Sequence, residues 1–178
     1  MIKAPAQQHY EVLHGLLREN NILQLNTVVE VGTRHADTAE YLCRNNPNLY
    51  MYLVDNYPAY LDCGYQFTEE EQNRIKTAAF KRMENYVVQW LYQPSVKAAA
   101  RFTEVADCVF IDSCHDYKNV VEDIAAWYPK IRPGGMLALH DASMDGVKKA
   151  VQEFCRANNL QALHTGVVSD IFAIEKPA

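Results

Sequence analysis

Six titratable side chains, Glu30, Asp55, Asp112, His115, His140 and Asp141, stand in or just beyond short apolar runs. If those runs are parallel strands, the six gather in one crevice beyond the carboxyl ends of the strands, where open α/β sheets bind ligands. Carboxylates placed there accept hydrogen bonds from hydroxyl groups. A histidine placed there, with an ordinary pKa close to working pH, serves as a general base. Each residue also has an architectural reading: Asp112 and Asp141 can cap strand ends, and His115 can bond Asp141 or cap the next helix.

The element that must position them first is Thr27 to Ala39, which reads T-V-V-E-V-G-T-R-H-A-D-T-A. Val28, Val29 and Val31 suit a strand buried on both faces of a parallel sheet. Gly32 ends it and lets backbone approach a ligand closely, and the small Ala36 and Ala39 can open a helix packed on the strand. Strand, glycine, helix is the local form of a nucleotide site, with Glu30, Gly32 and Thr33 at its turn. Asp55 ends a second strand, Leu49 to Val54, ~20 residues beyond the glycine, where such folds meet ribose hydroxyls. Followed by Asn56 and Pro58, it fits an Asx turn equally well. A nicotinamide fingerprint would need further glycines where the chain has Arg34 and Asp37, which opposes a nicotinamide-dependent oxidoreductase.

Helical spacing from His9 to Leu17 predicts an N-terminal packing helix, and Thr38 to Arg44 a second. Thr68 with Glu71 forms a capping box for a helix from Glu69 to Glu84 burying Ile75, Ala79 and Met83. Pro58 to Phe67 is aromatic with no period. Tyr86 to Tyr92 is the third strand, and Ser95 is placed to cap a short helix through Arg101. Ala106 to Asp112 is a buried strand, followed by a helix burying Val120, Val121, Ile124, Ala125 and Tyr128. Pro133-Gly134-Gly135 is read as a turn before a strand from Met136 to Leu139. A helix from Gly146 to Asn158 and a hairpin of Val167-Val168 with Ile171 to Ile174 close the chain.

At 178 residues the chain has room for one domain with a substantial core. Its 49% hydrophobic and 22% charged content is that of a globular protein. A net charge of -5 leaves no electrostatic footprint for nucleic acid. No apolar run reaches the ~18 to 20 residues of a membrane span, so no membrane partner is expected and the cytoplasm is the expected location. Five cysteines without a C-x-x-C pair read as reduced thiols. A zinc shell from Cys114, His115, His140 and Asp141 is disfavoured because adjacent residues rarely converge tetrahedrally.

Three further blocks carry a resemblance: D-C-V-F-I-D-S-C-H-D-Y from Asp107, D-x-x-x-W from Asp123 to Trp127, and R-P-G-G-M-L-A-L-H-D ending at Asp141. With Glu30, Gly32 and Ala36 they resemble class I S-adenosylmethionine-dependent methyltransferases, of the compact bacterial group called methyltransferase domain 24. The resemblance covers nearly the whole chain. It implies an α/β, Rossmann-like fold: a seven-stranded, mostly parallel sheet flanked by helices, with a C-terminal antiparallel hairpin. Residues 1–178 form one such domain, with 1–25 as an N-terminal helical segment. The implied cofactor is S-adenosylmethionine, contacted by Glu30, Gly32, Thr33, Asp55, Ser95 at the adenine, and Asp112. The implied reaction is O-methylation of a small molecule. Asp112 and Asp141 match the metal-ligand aspartates of catechol O-methyltransferase, implying Mg2+ or another divalent cation, and His115 falls where that enzyme has its catalytic lysine. Ala36 replaces a second glycine of the motif, and Ala142 replaces the third metal ligand. Those departures motivate a competing expectation, a protein that binds S-adenosylmethionine without transferring its methyl group. The acceptor is undefined, and homo-oligomerisation is left open.

Overall fold

Runs of consecutive apolar residues become strands covered on both faces. The computed structural model describes residues 8–19, 27–62, 65–166 and 170–177. Strands β1 (Thr27–Val31), β2 (Tyr50–Val54), β5 (Val88–Leu91), β6 (Ala106–Ile111), β7 (Ile131–Leu139), β8 (Leu163–His164) and β9 (Phe172–Glu175) form one seven-stranded sheet. Its order is β5-β2-β1-β6-β7-β9-β8. Pairing is parallel from β5 through β7 and antiparallel for β7/β9 and β8/β9. The expected seven-stranded sheet with an antiparallel C-terminal hairpin is therefore present.

Alternation along each strand divides the core into two layers. Val29, Val31, Val54, Val109, Ile111, Leu137 and Leu139 meet α4 (Ser95–Arg101), α5 (Tyr117–Trp127) and α6 (Asp145–Asn158). Val28, Met51, Leu53, Cys108, Phe110 and Ala138 meet α1 (His9–Glu19), α2 (Asp37–Asn45) and α3 (Glu69–Arg82). Strand order reverses between β1 and β6, so the crevice between their carboxyl ends is the topological switch point where such sheets bind ligands.

Several local expectations change. Pro58 to Phe67 contains a small antiparallel ribbon, β3 (Tyr60–Asp62) with β4 (Tyr65–Phe67). The Pro133-Gly134-Gly135 turn is instead part of β7, because Gly134 N–H donates to the Lys176 carbonyl and Lys176 N–H returns to the Gly135 carbonyl, extending the ladder. The hairpin's first strand is Leu163–His164, while Val167 and Val168 lie outside the described residues. On α5 the buried stripe is Val120, Asp123, Ile124 and Trp127, whereas Val121 and Ala125 are exposed. The stripe turns that way because Trp127 and the partnered Asp123 both face inward, and a helix presents i, i+3, i+4 and i+7 together.

The capping box is formed: Thr68 Oγ accepts from Glu71 N–H, and Glu71 Oε2 accepts from Thr68 N–H at 2.9 Å. Cys43, Cys108, Cys114 and Cys155 are free thiols among the described residues; Cys63 lies outside them. No helix among the described residues is long and apolar enough to cross a membrane.

Candidate active site

The switch-point crevice is built around Gly32, the residue after β1. A Cβ there would sit 2.1 Å from the Asp112 carbonyl oxygen and 2.7 Å from Ser113 Cα. The chain therefore brings the ends of β1 and β6 into direct backbone contact, which only glycine permits at φ +88°. Asp112 N–H donates to the Val31 carbonyl at 2.8 Å and Gly32 N–H to the Val54 carbonyl at 2.9 Å, tying three strand ends together.

Two buried polar atoms beside this turn have no hydrogen-bond partner, Glu30 Oε2 and Thr33 Oγ1. Glu30 is 2% exposed and Thr33 4%. Burial, and next the charge of Asp112, push the Glu30 carboxyl well above the usual carboxylate range, against a hydrogen bond from Thr38. Polar atoms this deeply buried cost stability when unpaired, so a pair of them marks a place for polar ligand atoms. Asp55 sits next to the pair. Its Oδ2 accepts from Arg34 N–H at 2.9 Å and its Oδ1 from Tyr57 N–H at 2.7 Å, the second being an Asx turn. Both readings of Asp55 hold together, since each carboxylate oxygen keeps a further lone pair.

Ala36 occupies the left-handed region at φ 60° and is fully buried at the start of α2. An alanine there is strained by roughly 1–2 kcal/mol. Ala36→Gly relieves that strain but removes a buried methyl group and adds unfolded-state entropy, so the thermal midpoint is expected to stay within a few degrees of wild type.

Across the crevice, His115 Nε2–H donates to Asp141 Oδ2 at 2.7 Å. Asp141 is itself left-handed at φ 54°, a conformation aspartate tolerates. Gly146 in the first turn of α6 makes room for the His115 loop, because a Cβ there would lie 2.1 Å from the His115 carbonyl oxygen. His140 Nδ1–H reaches both Asp112 Oδ1, at 3.2 Å, and Asp141 Oδ2, at 3.1 Å. Burial would lower the His140 imidazole, but hydrogen bonds and charge from the two aspartates push it up to about 10. Burial opposes ionisation of Asp141 too, yet the two imidazoles hold it well below the usual range. Asp112, His115 and Asp141 each offer a ligand atom within 4.8 Å of the others, a donor set of oxygens and one imidazole suited to a divalent cation.

The family model described as a methyltransferase domain matches residues 29–142. The chain belongs to the methyltransferase domain family. No curated protein matches it in sequence. Solved methyltransferases share its fold. The O-methyltransferase NovP is 13% identical with a TM-score of 0.70, over 95% of this chain and 79% of that one. The SAH-bound methyltransferase PaMTH1 of Podospora anserina is 9% identical with a TM-score of 0.68, over 95% and 78%. The N-methyltransferase NodS of Bradyrhizobium japonicum is 15% identical with a TM-score of 0.61, over 96% and 97%.

Within this methyltransferase domain, Glu30 lies in β1 with Gly32 and Thr33 just after it, Asp55 follows β2, Asp112 follows β6, and His115 joins Asp141. Ser95 does not cap α4. Pro94 is at the cap, and the Ser95 hydroxyl accepts from Trp127 Nε1–H at 2.9 Å. Sequence reasoning missed His140 as the bridge between the aspartates, although the H-D pair at a strand end was a signal. It also missed His9, whose ring lies 4.3 Å from that of His140 and whose Nε2 is 3.0 Å from Thr38 Oγ1. Nothing local in an amphipathic helix marks its first residue as part of a distant site.

Proposed function

We propose that the protein transfers the methyl group of S-adenosylmethionine to a hydroxyl group of a small molecule, with His115 as general base. The observation that supports this best is the His115–Asp141 pair, 2.7 Å apart, together with the unpartnered Glu30 Oε2 and Thr33 Oγ1 at the end of β1, the strand beside β6. When bound, S-adenosylmethionine supplies an electrophilic methyl carbon on a sulfonium. Glu30 and Thr33 offer acceptors for its polar end, and Asp55 offers one for its ribose. Asp141 holds His115 Nε2 at 2.7 Å, and the imidazole so oriented would act as the base. His115 would take the acceptor's hydroxyl proton as that oxygen accepts the methyl group. Asp141 orients the imidazole and stabilises its charged form.

The donor set of Asp112, His115 and Asp141 supports a second reading, a divalent cation at the acceptor site. That cation would supply positive charge beside the acceptor oxygen, and Asp112 and Asp141 would hold it in place of the His140 N–H. Labelled methyl transfer from S-adenosylmethionine to a panel of phenols, catechols and alcohols tests both readings. Transfer that survives chelation by EDTA supports the base alone. Transfer restored only by magnesium or manganese supports the cation, and label found only on nitrogen acceptors overturns O-methylation.

The raised Glu30 carboxyl gives a direct test of the cofactor site. Burial raises it, so the folded protein holds that proton more tightly than an exposed carboxyl would, and an ammonium group bound beside it would favour its loss. S-adenosylhomocysteine binding is expected to release a proton, seen as a binding heat that varies with buffer ionisation enthalpy. Glu30→Gln should bind with a heat independent of buffer.

A further inference from the structure

A cleft of about 450 Å³ opens between the turn after β1, the end of β4 and the first two turns of α3. It is lined by Arg34, Phe67, Glu71, Arg74 and Ile75, and its size is that of a small-molecule site. Phe67 and Ile75 are half-buried and make its apolar walls, whereas Arg34 and Arg74 are exposed.

The Arg34 guanidinium carbon lies 5.2 Å from the centre of the Phe67 ring. A ring face holds a guanidinium without using its in-plane N–H groups, so the fork stays available to an anion. The turn that presents this side chain is fixed. Arg34 N–H donates to Asp55 Oδ2 at 2.9 Å, and the Tyr57 hydroxyl donates to the Arg34 carbonyl at 2.9 Å. These two bonds hold Arg34 in the left-handed region at φ 43°, which is unfavourable for a residue with a Cβ.

Among the described residues neither Arg34 nor Arg74 has a carboxylate within ion-pair distance of its guanidinium. Glu71, the acid of the cleft, is engaged by the capping box, where Oε2 accepts from Thr68 N–H at 2.9 Å and from the Thr68 hydroxyl at 2.8 Å. Two guanidiniums against one engaged carboxylate leave the cleft positive on a chain whose net charge is -5. Local charge of that sign attracts anions.

We propose that this cleft is a second ligand site, for a small amphiphilic anion whose carboxylate or phosphate takes the N–H groups of Arg34 and Arg74 while its apolar body lies against Phe67 and Ile75. A guanidinium fork matches the paired oxygens of either acid group. The inference is independent of what occupies the crevice between β1 and β6.

Amide chemical-shift titration of the isotope-labelled full chain with benzoate, phenyl phosphate, benzyl alcohol and inorganic phosphate tests this. Shifts are expected at Arg34 and from Phe67 to Ile75, with at least one of the two aromatic anions binding at about 1 mM or tighter. Binding of benzoate alone, of phenyl phosphate alone or of both supports the site and names the acid group. Arg34→Gln and Arg74→Gln are each expected to weaken that anion by about tenfold, through loss of a charge-assisted contact. Glu71→Gln keeps the capping box and removes the opposing charge, so it should tighten binding severalfold. Benzyl alcohol binding as well as the anions, or affinities unchanged in all three variants, would overturn the inference. Inorganic phosphate binding as tightly as phenyl phosphate would overturn the part played by the apolar walls. Shifts centred on Glu30 and Asp55 instead, or none up to about 20 mM of every probe, would overturn the site itself. Should one arginine variant fail to fold, the other and Glu71→Gln decide.

Discussion

Gly32→Ala is expected to destabilise the protein by about 3–5 kcal/mol and to abolish S-adenosylhomocysteine binding. The new Cβ would meet the Asp112 carbonyl oxygen at 2.1 Å and carbon at 2.6 Å, and both are backbone atoms. Side-chain rotation cannot relieve that overlap. Relief requires the end of β6 to move off β1, which breaks the Asp112 N–H bond to Val31 and carries Asp112 away from His140. The φ of +88° adds a backbone penalty that any L-residue meets. Urea denaturation measures the loss of stability as a lowered midpoint at unchanged slope. A variant with wild-type midpoint and intact ligand binding would show that the β1–β6 contact is not what holds the crevice together.

His115→Ala is expected to lower kcat by about 10²–10⁴ while S-adenosylhomocysteine binding stays within a few-fold of wild type. The separation follows from the geometry. His115 pairs with Asp141, whereas the unpartnered atoms that suit the cofactor belong to Glu30 and Thr33 near the end of β1. Retained transfer would exclude His115 as the base and shift the chemistry to Asp112 and Asp141. Loss of ligand binding along with rate would place His115 in the cofactor site instead.

Much of the fold is legible in the chain because burial on both faces leaves a simple mark. Val28-Val29, Met51 to Val54 and Cys108 to Ile111 are apolar without alternation, the pattern of strands inside a parallel sheet. Capping chemistry is equally local, and Thr68 with Glu71 marks the start of α3 to the residue. The Pro133-Gly134-Gly135 segment was misleading for a physical reason. Its glycines suit a turn, but the main-chain groups of Gly134 and Gly135 find partners on Lys176, distant in sequence. The rotation of α5 was equally hidden, since Asp123 reads as a surface residue until Ser113 is seen donating to it.

The candidate site divides along the same line. Which residues stand at strand ends follows from sequence alone, because a strand must stop where its apolar run stops, and Glu30, Gly32, Asp55, Asp112, His115 and Asp141 follow from those stops. Which of them touch is a matter of strand order. Parallel pairing of β1 with β6 and of β6 with β7 brings Gly32 against Asp112 and sets His140 between Asp112 and Asp141, although Gly32 and Asp141 are far apart in the chain. Chain spacing carries no information on that order, since long-range pairing is decided by which faces bury the most apolar surface. The sequence alone therefore determined the class of fold and the chemical types at its ligand-binding edge. Tertiary structure alone decided that His115 bonds Asp141, that His140 bridges two carboxylates, and that the buried Asp123 of α5 accepts from Ser113 at the end of β6.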